Sequence, residues 1–131
     1  MPDTFHGYET RKPFAGEDAY FKKNAHVAGM AGEDGRIVLN PYSKNTPQQQ
    51  QVVARNEAIR IWLKDNKVKP KFKVTPEQLK LFKGTIYEKP ENILQLKHTL
   101  MARWLTGDPS GGTQTEMQKK WAEWAKKELP R

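Results

Sequence analysis

Twice in this chain a threonine, a proline, one variable residue and a glutamine follow one another, at Thr46-Pro47-Gln48-Gln49 and at Thr75-Pro76-Glu77-Gln78. Each run fixes where a helix begins. The threonine hydroxyl accepts from the amide three residues on, the glutamine reaches back to the threonine amide, and proline lacks the N–H that a first turn leaves unpaired. The first start predicts a helix to about Asp65, with Val52, Asn56, Ile59 and Leu63 on one stripe and Val53 and Trp62 beside it. The second predicts a short helix that ends near Lys83, ahead of Gly84, with Leu79, Leu81 and Phe82 as its apolar content. A third helix is expected from Pro90 to Thr106, stopped by the glycine-rich residues 107–112, with Ile93, Leu96, Leu100 and Trp104 on one face. A fourth is expected from Thr113, with Glu116 completing a capping box, Met117, Trp121 and Trp124 along one side, and Lys119, Lys120, Lys126 and Lys127 elsewhere.

Ahead of these helices, Gly7, Pro13, Gly16, Gly29, Gly32 and Gly35 fall with no sustained period, which predicts an extended arm with one helical turn near residues 17–24. Arg36-Ile37-Val38-Leu39-Asn40 is the one convincing β-like stretch, closed by Pro41, which cannot donate to a ladder. The expected fold is therefore mainly α: a small helical domain of about four helices over residues 41–131, behind an extended, irregular N-terminal arm over residues 1–40, with at most one short strand. Such an arm buries too little apolar surface to offset its backbone entropy alone, so it should lie on the protein's own body or on a neighbour. Its anchors for a partner would be Phe5, Tyr8, Phe14, Tyr20, Phe21 and Met30.

A chain of 131 residues suits one domain. No apolar run approaches the ~18 residues of a membrane span, and Met1-Pro2-Asp3-Thr4 does not open like a secretion signal, so neither a membrane partner nor export is expected. There is no cysteine, which excludes disulfides, thiolate metal sites and thiol nucleophiles. The net charge of +8 is uneven: residues 1–35 carry −2 and residues 36–131 carry +10. A basic body of this kind is drawn to polyanions. The densest feature lies over residues 64–83, where Lys64, Lys67, Lys69, Lys71, Lys73, Lys80 and Lys83 face only Asp65 and Glu77. Within it, Lys67 to Val74 alternates lysine with an apolar residue or proline, which puts lysines on one side of an extended segment. They are the candidate polyanion-binding residues, against the plainer reading of a loop kept soluble. Trp121 and Trp124 are candidate helix-face contacts, against the plainer reading of core.

Chemistry is sparse. The histidines at 6, 26 and 98 show no metal-ligand spacing, and His98 reads as structural or exposed, against the reading of a ligand or proton carrier. Glu57 and Arg60 read as a solvated helical ion pair. No phosphate loop, dinucleotide fingerprint or nucleophile elbow occurs. No catalytic, cofactor-binding or metal-ligating residue is assigned, and an enzyme is not expected.

Residues 6–13 with 20–24, residues 29–43 followed by Asn56-Glu57-Ala58, and Thr106-Gly107-Asp108-Pro109-Ser110 together resemble small virion-associated proteins of tailed bacteriophages, marine and cyanobacterial podoviruses above all. The similarity spans most of the chain, and its motifs carry no established chemistry. It implies a structural virion protein, present in multiple copies in a particle assembled in the host cytoplasm. Its arm and helix faces would bind other capsid, head-tail junction or internal subunits, with packaged DNA a further candidate partner. The alternative is a basic accessory protein that binds DNA or RNA non-specifically through residues 64–83. An enzyme or a host-targeting effector is the least favoured reading.

Overall fold

The computed structural model describes residues 4–130; the first three residues of the expected arm, and Arg131, lie outside them. The chain divides into two compact units, one of residues up to Ile61 with Pro130, the other Trp62–Leu129.

The first unit is built on short strands. β1 (Thr4–Phe5) and β2 (Tyr8–Arg11) form an antiparallel hairpin. Its two-residue turn, His6-Gly7, has φ of 49° and 86°. Two successive left-handed residues make the tight turn whose twist matches that of the strands it joins. His6 is held there by donating from Nδ1 to the Pro130 carbonyl at 2.8 Å, since a carbonyl oxygen can only accept. Helix α1 (Ala15–Lys23) follows, with Glu17 accepting from the Phe14 amide at 2.8 Å. β3 (Gly29–Ala31) and β4 (Ile37–Leu39) pair antiparallel, and β4 also runs parallel to β2, giving the sheet order β1-β2-β4-β3.

Helix α2 (Pro47–Asp65) starts at the predicted place: Gln49 Oε1 accepts from the Thr46 amide at 2.8 Å, and Thr46 Oγ1 accepts from the Gln49 amide at 3.2 Å. Its Ala54, Ala58 and Ile61, spaced at i, i+4 and i+7, pack with Phe5 and Ile37 into one buried cluster that Tyr8 and Leu39 flank. The expected stripe is rotated: Val52 is 38% exposed and Asn56 half-buried, while Ile59 and Leu63 are buried. Two alanines carry the face toward the sheet because only small side chains let a helix come close. Gly29 acts likewise, since a Cβ there would stand 3.1 Å from both Val38 O and Val53 Cγ1.

The second unit is helical. It holds α3 (Pro76–Leu81), 3₁₀ turns at Ile86–Glu88, Pro90–Asn92 and Pro109–Gly111, α4 (Ile93–Thr106) and α5 (Glu116–Glu128). Phe82, Leu96 and Leu100 form its core with Val74, Tyr87 and Trp104 against them. Phe72 stacks at 5.5 Å on Trp104, and Tyr87 meets Phe82 edge-on at 5.7 Å. Ile93, on the expected apolar face of α4, is 40% exposed because the helix opens one turn later than Pro90. Gly107, left-handed at φ 74°, ends it as expected.

The mainly α expectation is thus overturned. Among the described residues helix makes up 55%, 3₁₀ turns included, but a four-stranded mixed sheet accompanies the five α-helices, and the result is a small α/β fold. Residues 1–40, expected as an irregular arm, supply all four strands among the described residues, of which only β4 falls on the expected β-like stretch. Strands of two to four residues give period-two alternation no room to show, and the pairing that joins the two antiparallel pairs, β2 with β4, is not between neighbours in sequence.

Candidate functional site

After a turn at residues 66–67, residues 68–75 run from α2 to α3 outside any helix or strand ladder, with the alternating burial of an extended chain over 68–73. The exit is a tight C-terminal cap: the Val68 amide donates to Leu63 O and the Lys67 amide to Lys64 O, each at 3.0 Å, with Lys67 left-handed at φ 52°. Glycine is the usual residue at such a point. From there burial alternates without a break: Val68, Pro70 and Phe72 are buried, and Lys69, Lys71 and Lys73 are exposed.

An extended segment outside a sheet must satisfy its inward carbonyls some other way. Here side chains of α4 and α5 do so. His98 Nε2 donates to Val68 O at 2.7 Å, Lys97 Nζ to Pro70 O at 3.2 Å, and Gln118 Nε2 to Lys73 O at 2.8 Å. These three bonds hold the backbone of the strap at Val68, Pro70 and Lys73, while the side chains of Lys69, Lys71 and Lys73 stay exposed. His98 is buried and structural, as its placement between apolar faces predicts. Lys97 Nζ also stands 5.8 Å from the centre of the Phe72 ring.

The far pin belongs to a buried amide pair. Gln78 and Gln118, both fully buried, exchange two hydrogen bonds at 2.8 Å. Gln78 Nε2 also donates to Thr113 O at 3.0 Å, and each Oε1 accepts from its own cap amide, Thr75 at 3.0 Å and Thr115 at 2.9 Å. All four N–H donors and all four acceptor positions of the two amides are therefore used. The start of α5 is two residues later than expected: the cap is Thr115, whose hydroxyl accepts from the Gln118 amide at 3.2 Å. Thr115-Glu116-Met117-Gln118 is itself a capping box in the sequence, and Thr113 with Glu116 obscured it.

The other predicted lysines are exposed as well. Lys64 and Lys67 stand at the end of α2, Lys80 on α3, and Lys83 just after it. None of the seven has a salt-bridge partner among the described residues. Of the tryptophan pair, Trp124 is 40% exposed and Trp121 half-buried. Their rings meet edge to face at 5.5 Å, and Trp62 stands 6.1 Å from Trp124. With Lys120 they line a dent of about 160 Å³.

The six arm residues separate by burial. Phe5 and Phe21 belong to the interior of the first unit, Tyr8 and Met30 are half-buried, and Phe14 and Tyr20 are exposed at 61% and 47%. Beside Phe14 lies the strongest charge cluster. Arg11 bridges Glu17 at 2.7 Å and Asp34 at 3.0 Å, tying β2, α1 and the β3–β4 turn together, and its guanidinium lies 3.8 Å from the Phe14 ring centre. The hydrogen bonds from Arg11 hold the carboxyls of Glu17 and Asp34 below their ordinary values and raise the guanidinium's own. Every charge in the cluster is answered, which makes it a brace. Glu57 and Arg60 pair at 3.0 Å, but Glu57 is buried and not solvated as expected. Among the described residues no three histidines or carboxylates gather as a metal would need, and no helix is long and apolar enough to cross a membrane.

Compared with protein-family models, with curated proteins and with solved structures, the chain finds no match in any of the three.

Proposed function

We propose that the protein is a non-catalytic binding protein whose second unit holds a polyanion, nucleic acid above all, along the strap. The observation that carries this reading is the row Lys69, Lys71 and Lys73: three outward ammonium groups at every second residue, on a backbone pinned from behind at Val68, Pro70 and Lys73. Alternate residues of extended chain lie about 6.7 Å apart. The row thus presents charge at a fixed pitch without ordering a loop on binding, and the entropy of that ordering is not lost. Lysine ammoniums neutralise phosphates as point charges and read no sequence. Lys64, Lys67, Lys80 and Lys83 extend the positive field around it.

The test is the salt dependence of binding. Replacing Lys69, Lys71 and Lys73 together by Gln should lower the slope of log affinity against log salt by roughly 2 to 3, with the thermal midpoint unmoved. An unchanged slope, or no binding by the native chain at about 50 mM salt, removes the reading.

The setting we propose is a bacteriophage particle, in which many copies stand against other virion proteins and packaged DNA is the polyanion. Phe14 and Tyr20, large and exposed on the first unit, support contact with such neighbours. Mass spectrometry of purified particles decides it: a fixed copy number is expected, and absence of the chain from them ends this assignment.

A further inference from the structure

We infer that the polyanion is single-stranded, and that Trp121, Trp124 and Lys120 form a base-stacking subsite at the side of the lysine row. The inference rests on the polyanion reading and adds the form of the ligand.

The row alone does not discriminate, because phosphates are displayed by duplexes, single strands and sulfated sugars alike. The tryptophans do. In a duplex the faces of the bases are stacked on one another and only their edges reach the grooves; in a single strand the faces are free to meet an aromatic ring. Trp124 is 40% exposed, an unusual loss of sheltered area for the largest side chain in the chain. Its ring and that of Trp121 stand at 77° to each other, so the dent between them offers one face and one edge, and Lys120 completes its lining. An apolar wall and an adjacent cation are what a base and its phosphate require together.

The dent and the row are held in one frame. At the start of the strap, the Trp62 carbonyl accepts from the Asn66 amide and from Asn66 Nδ2 at 3.0 and 2.9 Å, and the Trp62 ring lies against Trp124. At its end, Lys73 O is held by Gln118, one turn before Trp121 on α5. The strap is thereby linked to the helix that carries the tryptophans at Lys73 directly, and ahead of Val68 through the Trp62 ring. A strand that follows the row and continues onto α5 meets the tryptophans there.

The experiment uses the full chain and three probes: an oligothymidylate longer than about 16 nucleotides, a duplex of equal length, and heparin. The expected result is affinity for the oligothymidylate about tenfold above that for the duplex, with Trp124→Ala losing about tenfold on the oligothymidylate and little on heparin. Trp124→Phe, which keeps a ring and guards against a fold defect, should retain most of the binding. Equal affinity for single strand and duplex, or a Trp124→Ala loss shared by heparin, overturns the stacking subsite and leaves the lysine row standing. Failure of all three probes at low salt overturns both readings. Binding of the three probes untouched by Trp124→Ala assigns the tryptophans to a protein partner, against this inference.

Discussion

Two extended segments in this molecule solve the same problem in different ways. In the first unit, β2 and β4 satisfy their backbones by pairing with each other, Thr10 opposite Ile37 and Arg11 opposite Val38. In the second, the strap beyond α2 has no partner strand, and His98, Lys97 and Gln118 take its inward carbonyls one by one. A ladder hides both edges of a strand in neighbours. Side-chain pins hold single carbonyls and leave the lysines of the strap exposed and free to act. The sheet is therefore a support, and the strap is a surface.

If that contrast is right, the strap depends on a few polar side chains far more than the sheet depends on any one of its charges. Gln118→Leu should be the most damaging change, costing on the order of 4 kcal/mol in urea denaturation. It strands the Gln78 amide, Lys73 O and the Thr115 amide together, at about 1–3 kcal/mol each. Replacing Gln78 and Gln118 together by Leu should cost less than the two single changes added, because neither amide is then left without the other. A double variant as costly as that sum would break the account of the pair. Gly111→Ala comes next, at about 1–3 kcal/mol, since a Cβ there would lie 2.7 Å from Trp104 Cδ1 and 2.8 Å from the Nε1 that donates to Gly111 O.

The brace in the sheet unit should be read out by acid. Arg11 lowers the carboxyls of Glu17 and Asp34 from their ordinary values of 4.5 and 3.8. Groups lowered on folding contribute stability above their unfolded values, and that contribution is lost as pH falls through the folded ones. The thermal midpoint of the native chain should therefore decline below about pH 4, and Arg11→Met should flatten part of that decline. An unaltered acid profile in Arg11→Met would make the cluster decorative. The smallest effect should be a gain: Lys67→Gly relieves a left-handed residue at φ 52° and should raise stability by about 1 kcal/mol or less.

The helices were legible because their starts are local. Thr46 with Gln49 and Thr75 with Gln78 are signals completed within four residues, and both caps form as the spacing demands. The lysine alternation was legible for the same reason. The sheet was not, since Tyr8–Arg11 meets Ile37–Leu39 only after α1 and β3 have intervened, and Gly29–Ala31 carries a single large apolar side chain, that of Met30. His6 at a left-handed turn position, where Asn or Gly is the usual signal, concealed the hairpin. Of the strap's pins, His98 reaches a carbonyl thirty residues away, and the bond between Gln78 and Gln118 joins residues forty apart. No short-range pattern can announce a contact at that distance.

The row of lysines has a protective consequence too. An extended backbone outside any ladder is a template on which a second chain can add a strand, and crowded copies of such a protein would grow into sheets. Lys69, Lys71 and Lys73 set three positive charges along that margin, with Pro70 among them unable to donate a hydrogen bond. Two copies brought edge to edge would repel one another, so this stretch should stay unzipped until something negative arrives to cover it.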